Sequence, residues 1–142
     1  MAKTRIDVIP FESFGGIKFG TSRQDIHKAL GAPVSSFLKC PDDKVETDEY
    51  SCFHLYYDDN ANFEAAEVVF VYEAEIYYDG EKVPETYDGV LEFFQKRFDD
   101  VEEDGSGFIS ARGAMGVYVD ESEDGYDTIL FARKGYYDDM EL

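Results

Sequence analysis

The sequence predicts an α+β fold made of two similar halves, each a helix packed on an antiparallel sheet. Three observations lead to this prediction: two amphipathic helical patterns, several runs of aromatic and β-branched residues, and a spacing that repeats along the chain. The 142 residues are 44% apolar, enough for one core. Because no Pro- or Ser-rich linker interrupts them, residues 1–142 are expected to form a single domain.

The first helix is predicted over residues 22–30. Thr21 and Gln24 have the spacing of a capping box, and Gly31 followed by Pro33 supplies the end of the helix. Its apolar face is formed by Ile26, Ala29 and Leu30.

The second helix is predicted over residues 85–98, with Pro84 near its start. Its apolar side chains recur at intervals of three and four residues, which is typical of a helix that packs on a sheet. They are Tyr87, Val90, Leu91, Phe94 and Phe98.

The strands are predicted from aromatic and β-branched content. They cover residues 50–57, 66–78, 107–111, 114–119 and 127–137. Polar loops at 58–62 and 120–125 connect hairpin partners.

The repeat consists of three matches in the same order, and the last pairs Tyr77-Tyr78-Asp79 with Tyr136-Tyr137-Asp138. Gly16, Ser22 and Ile26 align with Gly80, Thr86 and Val90 at an offset of 64. Tyr57 and Val68 match Tyr118 and Ile129 at an offset of 61. These matches predict an internal duplication, with halves at about residues 11–79 and 80–142.

Residues 16–33, with the sequence GIKFGTSRQDIHKALGAP, carry a family resemblance. Followed by a hairpin, they resemble the opening of SmpA/OmlA-type and β-lactamase-inhibitor-protein-like domains. The resemblance implies a scaffold of short helices on an antiparallel sheet that binds another protein. In such families these residues are structural, and the lipoprotein signal of the outer-membrane members is missing here. Size, charge and α+β composition are also similar to those of small acidic bacterial immunity proteins.

Charge is the strongest functional signal. The formal charge is −19, with 12 acids and 7 bases in residues 1–72 but 20 acids and 6 bases in residues 73–142. Such a field disfavours nucleic acid, membrane surfaces and acidic metabolites as ligands and favours a basic protein partner. The expected contact residues are acids and neighbouring tyrosines of the second half: Tyr77, Tyr78, Asp99, Asp100, Glu102, Glu103, Asp104, Asp120, Glu121, Glu123, Asp124, Tyr126, Tyr136 and Tyr137.

No metal, cofactor or catalytic residue is predicted. Residues 120–131 imitate a calcium-binding loop, but Phe131 occupies the position of its bidentate glutamate. Cys52 and His54 form the one Cys/His arrangement available, and no oxyanion-type loop accompanies them. His27 is expected at the surface, and Cys40 and Cys52 are expected not to form a disulfide.

The sequence therefore predicts a non-enzymatic acidic protein-binding domain. Its most concrete form is an immunity-type inhibitor that neutralises a basic toxin or nuclease. The alternatives are a binding module of another protein assembly and a small carboxylate-based enzyme. Since the longest uncharged apolar run is only Val68 to Tyr72 and no secretory signal is recognisable, a cytoplasmic location is expected.

Overall fold

A computed structural model of the chain describes residues 3–120 and 125–139. Its two helices are α1 (Arg23–Leu30) and α2 (Tyr87–Gln95). The strands are β1 (Thr4–Ile9), β2 (Ser13–Phe14), β3 (Ile17–Lys18), β4 (Ser35–Phe37), β5 (Thr47–Glu49), β6 (Phe53–Tyr57), β7 (Phe63–Val68), β8 (Ala74–Tyr78), β9 (Glu81–Lys82), β10 (Glu102–Asp104), β11 (Gly107–Ser110), β12 (Met115–Tyr118) and β13 (Thr128–Ala132).

The described strands form two sheets. The smaller has the order β3-β2-β1-β8-β9, and its β1–β8 pair is parallel. The larger has eight strands in the order β10-β11-β12-β13-β7-β6-β5-β4, all antiparallel. The fold is therefore α+β with two mostly antiparallel sheets, and the strands that follow α1 and α2 join in one sheet at β7–β13.

The main core lies on the inner faces of both sheets. Ile26 of α1 and Val90 of α2 are fully buried there. Phe94 of α2 contacts Tyr78 of the small sheet and Phe131 of the large sheet, with ring centroids 5.1 and 6.4 Å apart. One aromatic residue of α2 therefore connects the helix to both sheets.

A second, smaller cluster covers the outer face of the large sheet. It contains Tyr56, Ala65, Ala132 and Tyr136, which are all buried. Tyr136 belongs to a 3₁₀ turn, Tyr136–Asp139, that follows β13. The predicted strand over 127–137 is thus too long, because the chain leaves the sheet after Ala132.

The helix ends also differ from prediction. Ser22, rather than Thr21, is the N-cap of α1, and its hydroxyl accepts a hydrogen bond from the Asp25 backbone at 3.1 Å. Gly31 ends this helix with φ of +83°, as the sequence predicted. The second helix is shorter than predicted and begins after Thr86, whose hydroxyl accepts from the Gly89 backbone.

The predicted strand over 66–78 is wrong as a single strand. A 3₁₀ turn, Val71–Glu73, divides it into β7 and β8, which belong to different sheets. Periodicity could not detect this division because residues 68–72 form an unbroken apolar run across the point where the chain changes sheet.

Candidate functional site

Three of the acidic residues expected to bind a partner form one edge of the large sheet. Glu102, Glu103 and Asp104 form the edge strand β10 and are all exposed. The Glu103 carboxylate accepts a hydrogen bond from the Tyr87 hydroxyl at 3.0 Å. Asp104 accepts from the Ser106 backbone at 2.6 Å and so fixes the turn into β11.

Asp99 and Asp100 mainly stabilise the neighbouring turn. Asp99 pairs with Arg112 at 3.1 Å. Asp100 accepts from the Ser110 hydroxyl at 2.6 Å and from the Arg112 backbone at 2.8 Å. Partial burial opposes ionisation of Asp100, but these hydrogen bonds prevail and lower its pKa. Both carboxylates therefore have internal partners already.

The remaining acidic cluster is only partly described. Asp120 lies after β12, and its backbone N–H donates to the Asp127 carboxylate. Glu121, Glu123 and Asp124 lie outside the described residues, so their role as contact residues stays a prediction.

Three of the five predicted contact tyrosines are core residues, which corrects the sequence interpretation. Tyr78, Tyr126 and Tyr136 are 2%, 5% and 6% exposed. Burial raises the pKa of Tyr78 and of Tyr136 to about 12. The Tyr126 hydroxyl donates to the Pro84 carbonyl at 2.8 Å. These rings are packed in the interior, so little of each is left for a partner to contact.

The other two tyrosines lie on different surfaces. Tyr77 faces outward from the small sheet, where the Arg5 guanidinium carbon lies 3.9 Å from its ring centroid. Tyr137 packs over the outer face of the large sheet, and its hydroxyl would lie 3.0 Å from a Cβ added at Gly116. The predicted residues therefore do not form one continuous site.

The structure places a different group of apolar side chains together. Ile109 and Tyr118 are 44% and 46% exposed on the outer face of the large sheet. With Leu130 and Tyr137 they line a shallow depression of about 160 Å³. We call these four residues the outer-face patch.

Acidic groups border this patch. Glu67 of β7 and Asp104 of β10 line the same depression. Glu102 lies directly opposite Ile109 in the β10–β11 pairing. Glu67 accepts a hydrogen bond from the Tyr56 hydroxyl at 2.8 Å, so its carboxylate is held in place. An apolar centre with a charged border is the usual composition of a protein-binding surface.

A buried polar cluster in the first half was missed by the sequence analysis. Asp48 of β5 is fully buried, and its carboxylate accepts hydrogen bonds from Arg23 at 2.7 Å and Tyr57 at 2.7 Å. Ser36 donates to the same carboxylate at 2.8 Å, and the His27 Nε2 lies 2.6 Å from it. The cluster connects α1 to β4, β5 and β6.

The side chain of Asp48 is ionised at neutral pH because its neighbours stabilise the carboxylate. Burial alone would raise the pKa of this carboxyl, but the hydrogen bonds from Arg23, Tyr57, His27 and Ser36 outweigh it and hold the pKa far below its usual range. Tyr57 responds in the opposite sense, since burial and the adjacent carboxylate raise its pKa.

His27 lies at the surface as expected, with 33% of its side chain exposed, but it also contacts the buried Asp48. Arg23 and His27 are one helical turn apart, so both side chains reach Asp48 from the same face of α1. The i, i+4 spacing of Arg23 and His27 could have indicated a shared contact. The contact itself could not be predicted, because residues 47–49 were not predicted as a strand and so the position of Asp48 was unknown.

Cys52 and His54 are not brought together into a catalytic site. Cys52 is buried in the main core, and burial raises the pKa of its thiol. His54 projects to the other face of β6, where its Nε2 lies 3.2 Å from Glu49. A protonated, buried thiol is a poor nucleophile.

A cleft of about 430 Å³ opens beside the 3₁₀ turn Val71–Glu73. Its wall includes Val83 and Tyr126, and Lys3 and Lys82 stand among its polar groups. Lys3 is paired with Glu85 at 2.5 Å. The cleft is large enough for a small apolar group.

Within the described ranges, no group of three or more metal-ligating side chains converges. Neither described helix is long and apolar enough to cross a membrane.

Comparison with known proteins finds no family model that matches the chain and no curated protein or solved structure that matches it. The resemblance of residues 16–33 to SmpA/OmlA-type and β-lactamase-inhibitor-protein-like domains stays a prediction.

Proposed function

We propose that this protein is a non-enzymatic binding domain that holds a basic protein partner against the outer-face patch and its acidic border. The observation that carries the proposal is the exposure of Ile109 and Tyr118 next to the acidic edge strand β10. An immunity-type inhibitor of a basic toxin or nuclease is the concrete form of this function.

The apolar side chains and the acidic groups of this surface are expected to affect different steps of binding. Tyrosine and isoleucine side chains lose water on binding and supply the short-range contacts that slow dissociation. The net charge of −14 on residues 73–142 attracts a basic protein over longer distances and accelerates association. The same charge opposes binding to nucleic acid or to an anionic membrane surface.

A cytoplasmic location is part of the proposal. Cys40 is exposed and Cys52 is buried, and both are free thiols. Free thiols are typical of proteins that work in a reducing compartment.

The test begins with capture of the partner from the native cell, followed by binding kinetics at two salt concentrations. Tyr118→Ala should accelerate dissociation at least about tenfold, the order expected when an interface anchor is truncated. Tyr72→Ala is the matched control, because Tyr72 is 67% exposed and lines the cleft beside Val71–Glu73 rather than the outer-face patch.

Acid-to-amide variants test the second part. Glu102→Gln with Asp104→Asn should slow association and reduce its salt dependence, whereas Asp42→Asn in the first half should change neither.

An acidic partner, or an association rate indifferent to salt, would overturn the inhibitor proposal. Retained affinity in Tyr118→Ala would move the interface elsewhere and favour a module of another assembly. A catalytic activity lost on carboxylate replacement would favour the enzyme alternative.

The internal duplication is the second element of the proposal, and the sheet order supports it. Each helix is followed by a four-stranded meander, β4 to β7 and β10 to β13, and the meanders join at their last strands. In the small sheet, β1 lies between the hairpins β2–β3 and β8–β9. Both hairpins turn through two residues of positive φ, Gly15–Gly16 and Asp79–Gly80.

Corresponding positions carry corresponding contacts. Ser22 and Thr86, which the offset of 64 aligns, cap the two helices in the same way. The next residue in each helix reaches the first two strands of its own meander: Arg23 contacts Ser36 and Asp48, and Tyr87 contacts Glu103 and Phe108. The second half thus has an aromatic contact where the first half has an ion pair.

The register also refines the alignment. Tyr57 points toward Asp48 on the inner side of the sheet, whereas Tyr118 lies on the outer face, so these two tyrosines are not equivalent. Val68 and Ile129, at the same offset, are both fully buried. A boundary at 79/80 would divide the β8–β9 hairpin. The turn Val71–Glu73 is the better boundary between the proposed halves.

A further inference from the structure

The two edges of the eight-stranded sheet differ in chemistry. β10 consists of three exposed carboxylate residues, Glu102–Asp104, which discourage pairing with another strand. β4, at the opposite edge, has the sequence Ser-Ser-Phe and one strand neighbour, β5. An uncharged edge strand presents backbone N–H and C=O groups that another strand can pair with.

Exposed apolar side chains surround the β4 edge. Among the described residues, nine large apolar side chains are exposed, and four of them lie within nine residues of sequence. Val34 is 75% exposed, Phe37 36% and Leu38 49%, and Leu30 at the end of α1 is 41% exposed. We call these four residues and β4 the β4 edge surface.

Charge sets this surface apart from the rest of the molecule. Residues 26–41 contain no Asp or Glu, although the whole chain has 32 acids among 142 residues. Lys28 and Lys39 are the charged residues of this stretch. The strand that would meet a second copy therefore carries no negative charge of its own.

We propose that a second copy of this chain binds the β4 edge surface, with β4 of the two copies paired antiparallel about a twofold axis at Ser36. This register places Val34 opposite Leu38 of the second copy and Phe37 opposite Ser35. Each large side chain then meets an apolar or a small one, and Lys39 lies opposite Pro33 rather than another lysine. The contact is self-complementary, as a closed symmetric dimer requires.

The β4 edge lies far from the acidic strand β10, so repulsion between the acidic second halves of the two copies is weak in this dimer. β4 and β10 are separated by seven strand spacings, about 30 Å across the sheet, several times the screening length at physiological salt. Pairing at β4 leaves the two acidic second halves at the far ends of a sixteen-stranded sheet. Residual repulsion between the copies weakens the dimer at low salt.

The experiment measures the mass of the intact protein in solution by sedimentation across concentration and at two salt concentrations. The wild type should pass from monomer to dimer as concentration rises, and high salt should shift the transition to lower protein concentration. Amide hydrogen exchange should slow in residues 34–38 under dimer-forming conditions. The opposite salt dependence separates this contact from the proposed binding of a basic partner, which high salt weakens.

Val34→Glu with Phe37→Glu should abolish the dimer and leave partner binding intact. The control is Ile109→Glu with Tyr118→Glu, which adds the same charge to two exposed residues of the outer-face patch and should keep the dimer. Wild-type protein that stays monomeric, or a dimer that survives the β4 variant, would overturn the proposal. Assembly that continues past two copies and is lost on Glu102→Gln with Glu103→Gln would show head-to-tail pairing of β4 with β10 instead, and would also overturn it.

Discussion

Asp48 is the residue on which the first half most depends. Its carboxylate is fully buried and receives donors from α1, β4 and β6, so it joins three elements through one charge. Removing one member of a buried ion pair leaves the other charge uncompensated.

Asp48→Asn should therefore lower the free energy of unfolding by about 3–5 kcal/mol at pH 7. The wild type should also lose stability in acid. Because the folded-state pKa of Asp48 is depressed, its stabilisation is complete above the unfolded value of about 4 and is lost progressively as pH falls below it. Urea denaturation between pH 7 and pH 3 measures both effects. A variant whose loss of stability in acid equals that of the wild type would contradict this role.

Two tyrosines give a matched test of buried hydroxyl groups. The Tyr57 hydroxyl donates to Asp48 at 2.7 Å, whereas the buried Tyr78 hydroxyl has no hydrogen-bond partner among the described residues. Tyr57→Phe should lower the free energy of unfolding by about 1.5–3 kcal/mol, because it removes a hydrogen bond to a charged group. Tyr78→Phe should be neutral or should stabilise the protein by up to about 1 kcal/mol. Equal destabilisation in the two variants would show that Tyr78 has a partner after all.

At the scale of elements, the β10–β11 hairpin depends on one glycine. Gly107 has φ of +138°, and a Cβ there would lie 2.0 Å from the Val117 carbonyl oxygen on the neighbouring strand. The backbone of β11 therefore approaches β12 too closely for any side chain at this position.

Gly107→Ala should lower the free energy of unfolding by at least about 2 kcal/mol, from backbone strain and the clash with β12. Gly105→Ala is the control, since a Cβ at Gly105 meets nothing within 4 Å. Thermal unfolding of the two variants measures the difference. Since Gly107 precedes Phe108 and Ile109, the first variant should also disturb the outer-face patch.

The two helices test the proposed duplication. Ile26 and Val90 occupy aligned positions, and both are 0% exposed. Ile26→Val and Val90→Ala each remove carbon from a closed core, and the first should cost about 0.5–1.5 kcal/mol and the second somewhat more. Urea unfolding measures both. A variant at either position that keeps wild-type stability would contradict equivalent packing of the two helices.

For the molecule as a whole, self-repulsion is the dominant electrostatic cost. A formal charge of −19 on 142 residues opposes the compact state, and dissolved ions screen it. Chloride salt should therefore raise the melting temperature of the isolated protein between low and moderate ionic strength. Potassium and sodium chloride should act alike, because screening does not depend on cation identity. A melting temperature that falls with salt would mean that the ion pairs outweigh the repulsion.

Much of the local structure was determined by the sequence alone. The apolar spacing around Ile26 and Val90, the stop at Gly31 and the aromatic strands gave both helices and the α+β class, since these signals are local and periodic. Two-residue strands such as β2, β3 and β9 carry too few residues to show a period, so they were not predicted.

Tertiary structure alone decided which side chains meet. The sequence placed Tyr78, Tyr126 and Tyr136 beside acids, but burial is set by packing against other elements and not by neighbours in the chain. The Asp48 cluster combines residues from α1 and three strands, and its hydrogen bonds exist only once those elements are packed. The outer-face patch and the uncharged β4 edge likewise depend on strand order, because a residue's face and edge position follow from pairing between strands far apart in sequence.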